Sequence, residues 1–367
     1  MQLKTKPIVL SLIVIFGLTL VAFLLTSTLR YTSPGAVIGY LKTHSQDVAI
    51  ACIDPGNSQN GFTQNADEAY PLAGVFKLVL LSAYADQVAA GQLNAQEIIP
   101  LTELEKYYLP GTDGGAHPEF LKSLGADRTT LTLDETVDGM TEYGSNAAAD
   151  YLAARLKQVD FLALYKRLGL KHTSQPSSFL GLYLFIKNHE TGMYAEEDLT
   201  AQQQRAEQIR LADLFINDAD WRQTEVSFIT KPTNAAPQNI QQQVINAYGV
   251  QGSALDMAQI LLTAYGYNNA LSPEAQTIVR KHLEWPAKLH PENTKPFKTL
   301  ASASGVWPDI LTSAWYAQGQ NSAPRVLVVL YRNVPDDYWS TWINTFSHEQ
   351  LETQVLLDKD CSLFADK

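Results

Sequence analysis

The stretch Pro71–Tyr84, PLAGVFKLVLLSAY, constrains this chain more than any other. Leu72, Ala73, Val75, Phe76, Leu78, Val79, Leu80, Leu81, Ala83 and Tyr84 are apolar all round at helical spacing, and a helix without a wet face belongs in the middle of a domain. It is expected to run on to about Ala90 and stop at Gly91. Lys77 is its only charge. An isolated buried ammonium is costly, so Lys77 must pair, give up its proton or line a polar cavity, unless it snorkels to the surface from the first turn.

The N-terminus reads as a targeting segment. Residues 1–7, with Lys4 and Lys6, form a short cytoplasmic tail, and residues 8–27 are apolar and uncharged over nearly the ~30 Å of a bilayer core. Residues 28–35 are a linker, and residues 36–361 form one ectodomain. A cleaved signal peptide is the competing reading, but Leu24-Leu25-Thr26-Ser27-Thr28 matches poorly the small-residue motif that cleavage needs. The expectation is a signal-anchor: a single-pass protein of the cytoplasmic membrane with its C-terminal domain outside.

That placement allows the only two cysteines, Cys52 and Cys361, to pair; two free buried thiols are the alternative. The 367 residues carry a net charge of −11 and no Lys/Arg cluster, which argues against a nucleic-acid partner. The seven histidines are scattered without ligand spacing, and Thr112-Asp113-Gly114-Gly115-Ala116-His117 reads as a turn-rich connection. No metal and no cofactor are expected.

In chain order, Ala36–Lys42 is helical and Asp47–Ile53 is a strand closed by Asp54-Pro55-Gly56-Asn57, with a second strand through Gly61–Asn65. After the central helix come an Ala-rich helix, Ala147–Leu156, and another, Asp160–Leu168, stopped at Gly169 and giving Phe161, Leu162, Leu164 and Leu168 to a core. Thr191–Gln251 is glutamine-rich and reads as an inserted or peripheral element; its helix Ala201–Asn217 offers Ile209, Leu211, Leu214 and Phe215 as a buried stripe. Ser253 and Ser272-Pro273 open two further helices. Thr299–Ser304, Ile310–Gln318 and Arg325–Val334 then alternate as three strands, and Asp336–Leu357 is one final amphipathic helix. Two strands at the start and three at the end make one five-stranded, mixed antiparallel sheet flanked by helices, with an all-helical lobe from the middle: an α+β fold.

The strings PLAGVFKLVLL, EYGSNAAADYL, GSALDMAQILLTAYGYNNALSPEAQ and SASGVWPDILTSAWYA, in this order from Ala36 to Leu357, resemble the class A β-lactamase and penicillin-binding-protein-like (DD-peptidase-like) serine hydrolases. The resemblance implies an S-x-x-K pair opening a central helix, an S-x-N loop, and a K-T-G or K-S-G strand edge. The serine attacks a carbonyl, the lysine one turn later eases removal of its proton, the second serine passes a proton to the leaving nitrogen, and backbone N–H groups hold the oxyanion.

This chain departs from that pattern where the chemistry resides. Gly74 stands at the nucleophile position, with Lys77 kept; Gly144 stands at the proton-transfer position, with Asn146 kept; and Ala303 replaces the strand cation. Lys298 is a poor substitute, since an odd offset along a strand faces the other way. Ser177–Leu184, where the family's water-activating carboxylate is expected, contains no acid. Lys77 and Asn146 are thus the family-equivalent site residues, and Ser145, Ser304, Gly305 and Val306 are candidates for binding a ligand. The expectation is a domain that has lost covalent serine catalysis and binds a cell-wall peptide, a β-lactam-like small molecule or an envelope protein. The alternative is an active hydrolase of β-lactams or peptidoglycan peptides that uses Ser145 or Ser304.

Overall fold

The computed structural model describes residues 31–193, 200–357 and 361–365. The tail and apolar segment expected over residues 1–27 lie outside them; among the described residues no helix is long and apolar enough to cross a membrane.

Strand alternation divides the interior in two. Side chains of successive strand residues point to opposite faces, so in β1 (Val48–Ile53) Ala49 and Ala51 enter one core while Val48, Ile50 and Cys52 enter another. β2 (Phe62–Gln64), β3 (Phe297–Trp307), β4 (Ile310–Gly319) and β5 (Pro324–Tyr331) complete the sheet. In β5, Val326, Val328 and Leu330 face the first core, and Leu327, Val329 and Tyr331 the second. The order is β2-β1-β5-β4-β3, every pairing antiparallel. The expected five-stranded sheet from both chain ends is present, without a parallel pair. β3 is an edge strand and runs on to Trp307, beyond the Ser304 expected as its end.

The second core is closed by helix α1 (Pro34–Thr43), capped by Ser33, and by helix Ser347–Leu357. Cys52 and Cys361 are joined by a disulfide that fastens the C-terminal end to β1. The final helix is not continuous: Asp336–Thr345 ends at Phe346, whose φ of 54° is left-handed, and a new helix starts at Ser347.

The first core holds the central helix. Tyr70–Pro71 pairs with Gln251–Gly252 as a short ribbon, Ala73–Phe76 forms a 3₁₀ turn, and only then does α2 (Lys77–Ala89) begin, ending before Gly91 at φ 68°. Lys77 to Ala85 are all buried. The helix therefore starts six residues later than the hydrophobic run suggests. Pro71 lies in the ribbon, and Ala73, at φ 43°, sits in a left-handed conformation that costs a non-glycine residue roughly 1–2 kcal/mol.

The middle of the chain is less peripheral than expected. Leu211, Phe215, Val244 and Ile245 join the core around α2. In helix Ala201–Asn217 the buried positions are Gln204, Gln208, Leu211, Ala212 and Phe215, while Ile209 is exposed. The stripe thus passes through two glutamines. Gly181 explains part of this: a Cβ there would come within 3.1 Å of the Gln208 carbonyl carbon, so helix Phe179–Ile186 lies directly on this backbone. Leu162, expected in the core, is exposed.

Candidate functional site

Between the 3₁₀ turn and the edge of β3 the two main chains touch. A Cβ placed on Gly74 would overlap the Ser304 carbonyl oxygen and come within 2.8 Å of the Gly305 Cα. One placed on Gly305 would overlap the Gly74 nitrogen and lie 2.6 Å from the Gly74 Cα. Thr312 on β4 holds the contact, its hydroxyl donating to the carbonyls of Leu72 at 3.0 Å and Gly305 at 3.2 Å. Gly74, which the sequence resemblance set against the family's nucleophile, therefore has no room for a Cβ, the carbon that would bear a hydroxyl.

Lys77, the first residue of α2, is buried, and its Nζ donates to the Gly144 carbonyl at 2.5 Å. The Phe179 ring centroid lies 5.4 Å away, a cation–π distance. Burial pulls the ammonium down to about 8, against the longer-range pull of Asp113 and Asp150. Both carboxylates are engaged elsewhere. Asp150, pushed up by burial to about 6, accepts from the amides of Phe179 and Leu180 and from the Ser178 hydroxyl. Asp113 accepts from the amides of Gly115 and His117. Lys77 thus lines a cavity without a direct counter-ion among the described residues.

The second motif is split between two roles. Gly144, at φ 81°, turns its carbonyl to Lys77, and Asn146 opens helix Asn146–Arg155 and reaches toward the Thr112 carbonyl at 3.4 Å. Ser145 does not face the cleft. It is fully buried, caps the helix by accepting from the Ala148 amide at 3.1 Å, and lies 2.9 Å from His117 Nδ1. Its candidacy as a ligand contact, and as an alternative nucleophile, is corrected accordingly: its oxygen is committed to the helix end. Burial pulls His117 down to about 4, so it is a neutral partner.

A cleft of about 470 Å³ brings together Gly74, Lys77, Gly144, Asn146, Ser304, Gly305 and Val306. Lys77 is the one cation and Asp113 the one anion among its described lining residues. Much of the remaining wall is aromatic, from Tyr143, Phe179, Tyr183, Trp307 and Trp339. Trp307 stacks on Tyr183 at 4.3 Å, and Trp339 donates through Nε1 to the Trp307 carbonyl at 2.8 Å. Beside the cleft a smaller pocket of about 120 Å³, likewise open to solvent, shares Lys77, Tyr143, Gly144 and Ser304 with it and is walled further by Met140, Leu283, Trp285 and Ala303. Lys298 is exposed on β3 and lines neither.

Sequence reasoning missed the aromatic wall. Phe179 falls inside the acid-free segment Ser177–Leu184, and Trp307 lies within the quoted string SASGVWPDILTSAWYA, but neither carries a local signal of facing a cleft. Asp113 and Thr112 sit in the turn-rich loop, which closes one side of the cleft. No cluster of side chains suited to hold a metal occurs among the described residues.

A five-stranded antiparallel sheet with a buried helix bearing Lys77 behind its edge strand, and a Gly-Ser-Asn turn beside it, defines the β-lactamase-like class of serine hydrolase folds. The profile of the beta-lactamase enzyme family matches residues 36–349, and the chain belongs to that family. Among solved structures it is similar to a beta-lactamase from Sphaerobacter thermophilus, with 15% identity over 89% of this chain and 98% of that one at a TM-score of 0.53. It is likewise similar to a beta-lactamase from Chitinophaga pinensis, with 16% identity over 88% and 99% and a TM-score of 0.53. At such identity the likeness establishes the fold. No curated protein matches the chain.

Proposed function

We propose that this chain is a membrane-tethered β-lactamase-like domain that has lost covalent serine catalysis and binds a cell-envelope ligand without turning it over. The observation that carries this reading is the contact at Gly74. A serine nucleophile needs a Cβ between the 3₁₀ turn and β3, and Ser304 and Gly305 already occupy that space. Three further departures act in the same direction: Gly144 for the proton-passing serine, Ala303 for the strand cation, and Phe179 in the segment where a carboxylate is expected. Groups of this kind act as a unit, so loss of the nucleophile removes most of the rate whatever the others retain. The cleft supports binding, because it sets the polar groups of Lys77, Asn146 and Asp113 among aromatic walls, the make-up of a small-ligand site.

The test is incubation of the full chain with a labelled penicillin, followed by intact mass measurement. No adduct on a serine is expected, and a stable penicilloyl group that peptide mapping places on a serine hydroxyl overturns the proposal. Ser304 lines both cavities with Lys77 and is the remaining hydroxyl for an active hydrolase. Turnover of a chromogenic cephalosporin that disappears in both Ser304→Ala and Lys77→Ala establishes that alternative.

A further inference from the structure

The retained lysine has nothing to activate. It stands with its Nζ between the open cleft and the 120 Å³ cavity, bonded to one backbone carbonyl. A carbonyl acceptor serves the ammonium and the neutral amine alike, whereas a carboxylate would hold the proton. Asp113 and Asp150, the carboxylates that act on it, are occupied by backbone amides and a hydroxyl. A desolvated amine without a direct counter-ion is a nucleophile toward carbonyl carbon.

We propose that Lys77 Nζ is a covalent capture site for small, uncharged aldehydes and ketones, which it holds as an imine in the smaller pocket. The proposal rests on the serine-free cleft argued above. The Nζ lone pair adds to the carbonyl carbon, and the carbonyl oxygen takes up a proton to give the carbinolamine. Loss of the hydroxyl with a nitrogen proton, as water, then leaves the C=N bond; water escapes through the open cleft. No oxidant or reductant takes part.

The cavity sets the ligand class. At ~120 Å³ it has room for a small carbonyl compound. Met140, Leu283, Trp285 and Ala303 make the far wall apolar. Glu142 also lines it, already paired with Lys288, so a ligand carboxylate meets a like charge and no spare cation. The amine supply favours this site too. Burial pulls Lys77 below an ordinary lysine, to about 8, so more of it is free base near neutral pH.

The test is reductive labelling of the detergent-solubilised full chain with butyraldehyde and sodium cyanoborohydride at pH 7, read by peptide mapping. Lys77 is expected to acquire a butyl group at least tenfold faster than exposed Lys122, with a pH midpoint near 8, and succinic semialdehyde is expected to label it at least tenfold more slowly. Ala303→Leu fills the cavity and is expected to bring Lys77 labelling down to the Lys122 rate while Lys122 stays unchanged. Labelling of Lys77 no faster than Lys122 in the unaltered chain overturns the proposal, and so does unaltered Lys77 labelling in Ala303→Leu. The penicillin experiment reports separately. A penicilloyl group mapped to a serine hydroxyl removes the serine-free reading, whereas no such adduct together with Lys77 labelling no faster than Lys122 removes the capture site alone.

Discussion

The closure at Gly74 predicts that a single methyl group there is expensive. In Gly74→Ala the new Cβ stands 2.8 Å from the Gly305 Cα and 3.2 Å from the Ser304 carbonyl carbon, besides overlapping the Ser304 oxygen. Bringing the first of these to an ordinary contact of ~3.4 Å moves β3 by about 0.6 Å. The strand resists, because Ser304 and Gly305 pair with Ser313 and Thr312 on β4, and the Thr312 hydroxyl ties the strand to the turn. Overpacking against backbone costs about 1–3 kcal/mol, and with three backbone atoms involved the upper half of that range is expected. In a domain of this size that lowers the melting temperature by roughly 3–4 °C. Gly39→Ala is the matched control. Gly39 lies in the interior of α1 with nothing within 4 Å of its Cβ direction, so the same methyl group is expected to stabilise by up to about 1 kcal/mol. Thermal and urea unfolding by circular dichroism reads both. Equal stability of Gly74→Ala and the unaltered chain refutes the steric reasoning, and acylation of Gly74→Ser by penicillin refutes the catalytic conclusion drawn from it.

Three further outcomes follow from the structure. His282 is fully buried between two carboxylates, Asp138 at 2.7 Å and Asp134 at 3.0 Å, with the Tyr84 ring alongside and Lys281 on Asp134. Burial opposes its charge, but the two acids prevail and raise it. Its stabilisation is therefore full below the unfolded value of about 6.5 and lost as pH rises through the higher folded value; His282→Gln is expected to flatten the melting temperature over that window, and an unchanged slope contradicts the pairing. The disulfide encloses a 309-residue separation, so Cys52→Ser with Cys361→Ser is expected to cost about 2–5 kcal/mol in urea unfolding, an effect that reductant reproduces in the unaltered chain and not in the variant. Ser145→Ala removes a helix cap and strands buried His117 Nδ1, for about 1–3 kcal/mol; equal unfolding midpoints would return Ser145 to the cleft.

Much of the scaffold was legible in local sequence because its causes are local. Unbroken apolar runs in VAIACI and VLVVLY mark strands covered on both faces, Ser253 and Ser272 cap the helices they precede, and Gly91 and Gly169 end theirs with positive φ. The family register around Phe76-Lys77 and Asn146 was likewise visible, and so was the absence of a hydroxyl at Gly74. Where local pattern misled, a distant partner had intervened. Gln204 and Gln208 are buried because Gly181 lets one helix lie on another, Phe346 breaks a helix that periodicity makes continuous, and Ser145 turns inward to a histidine 28 residues away.

What the sequence by itself determined is which groups exist: a lysine without its serine, an asparagine without its proton-passing neighbour, a strand without its cation. Only the tertiary structure decided that a side chain at Gly74 has no room. Gly74 and Gly305 are 231 positions apart, and neither has an environment until the sheet's edge strand closes on the turn before α2. The same folding step carries Lys77 out of water to the Gly144 carbonyl and leaves its amine poised in the cleft. Composition and spacing report what a residue is; the free volume and the dielectric around it belong to the chain segments that arrive from elsewhere.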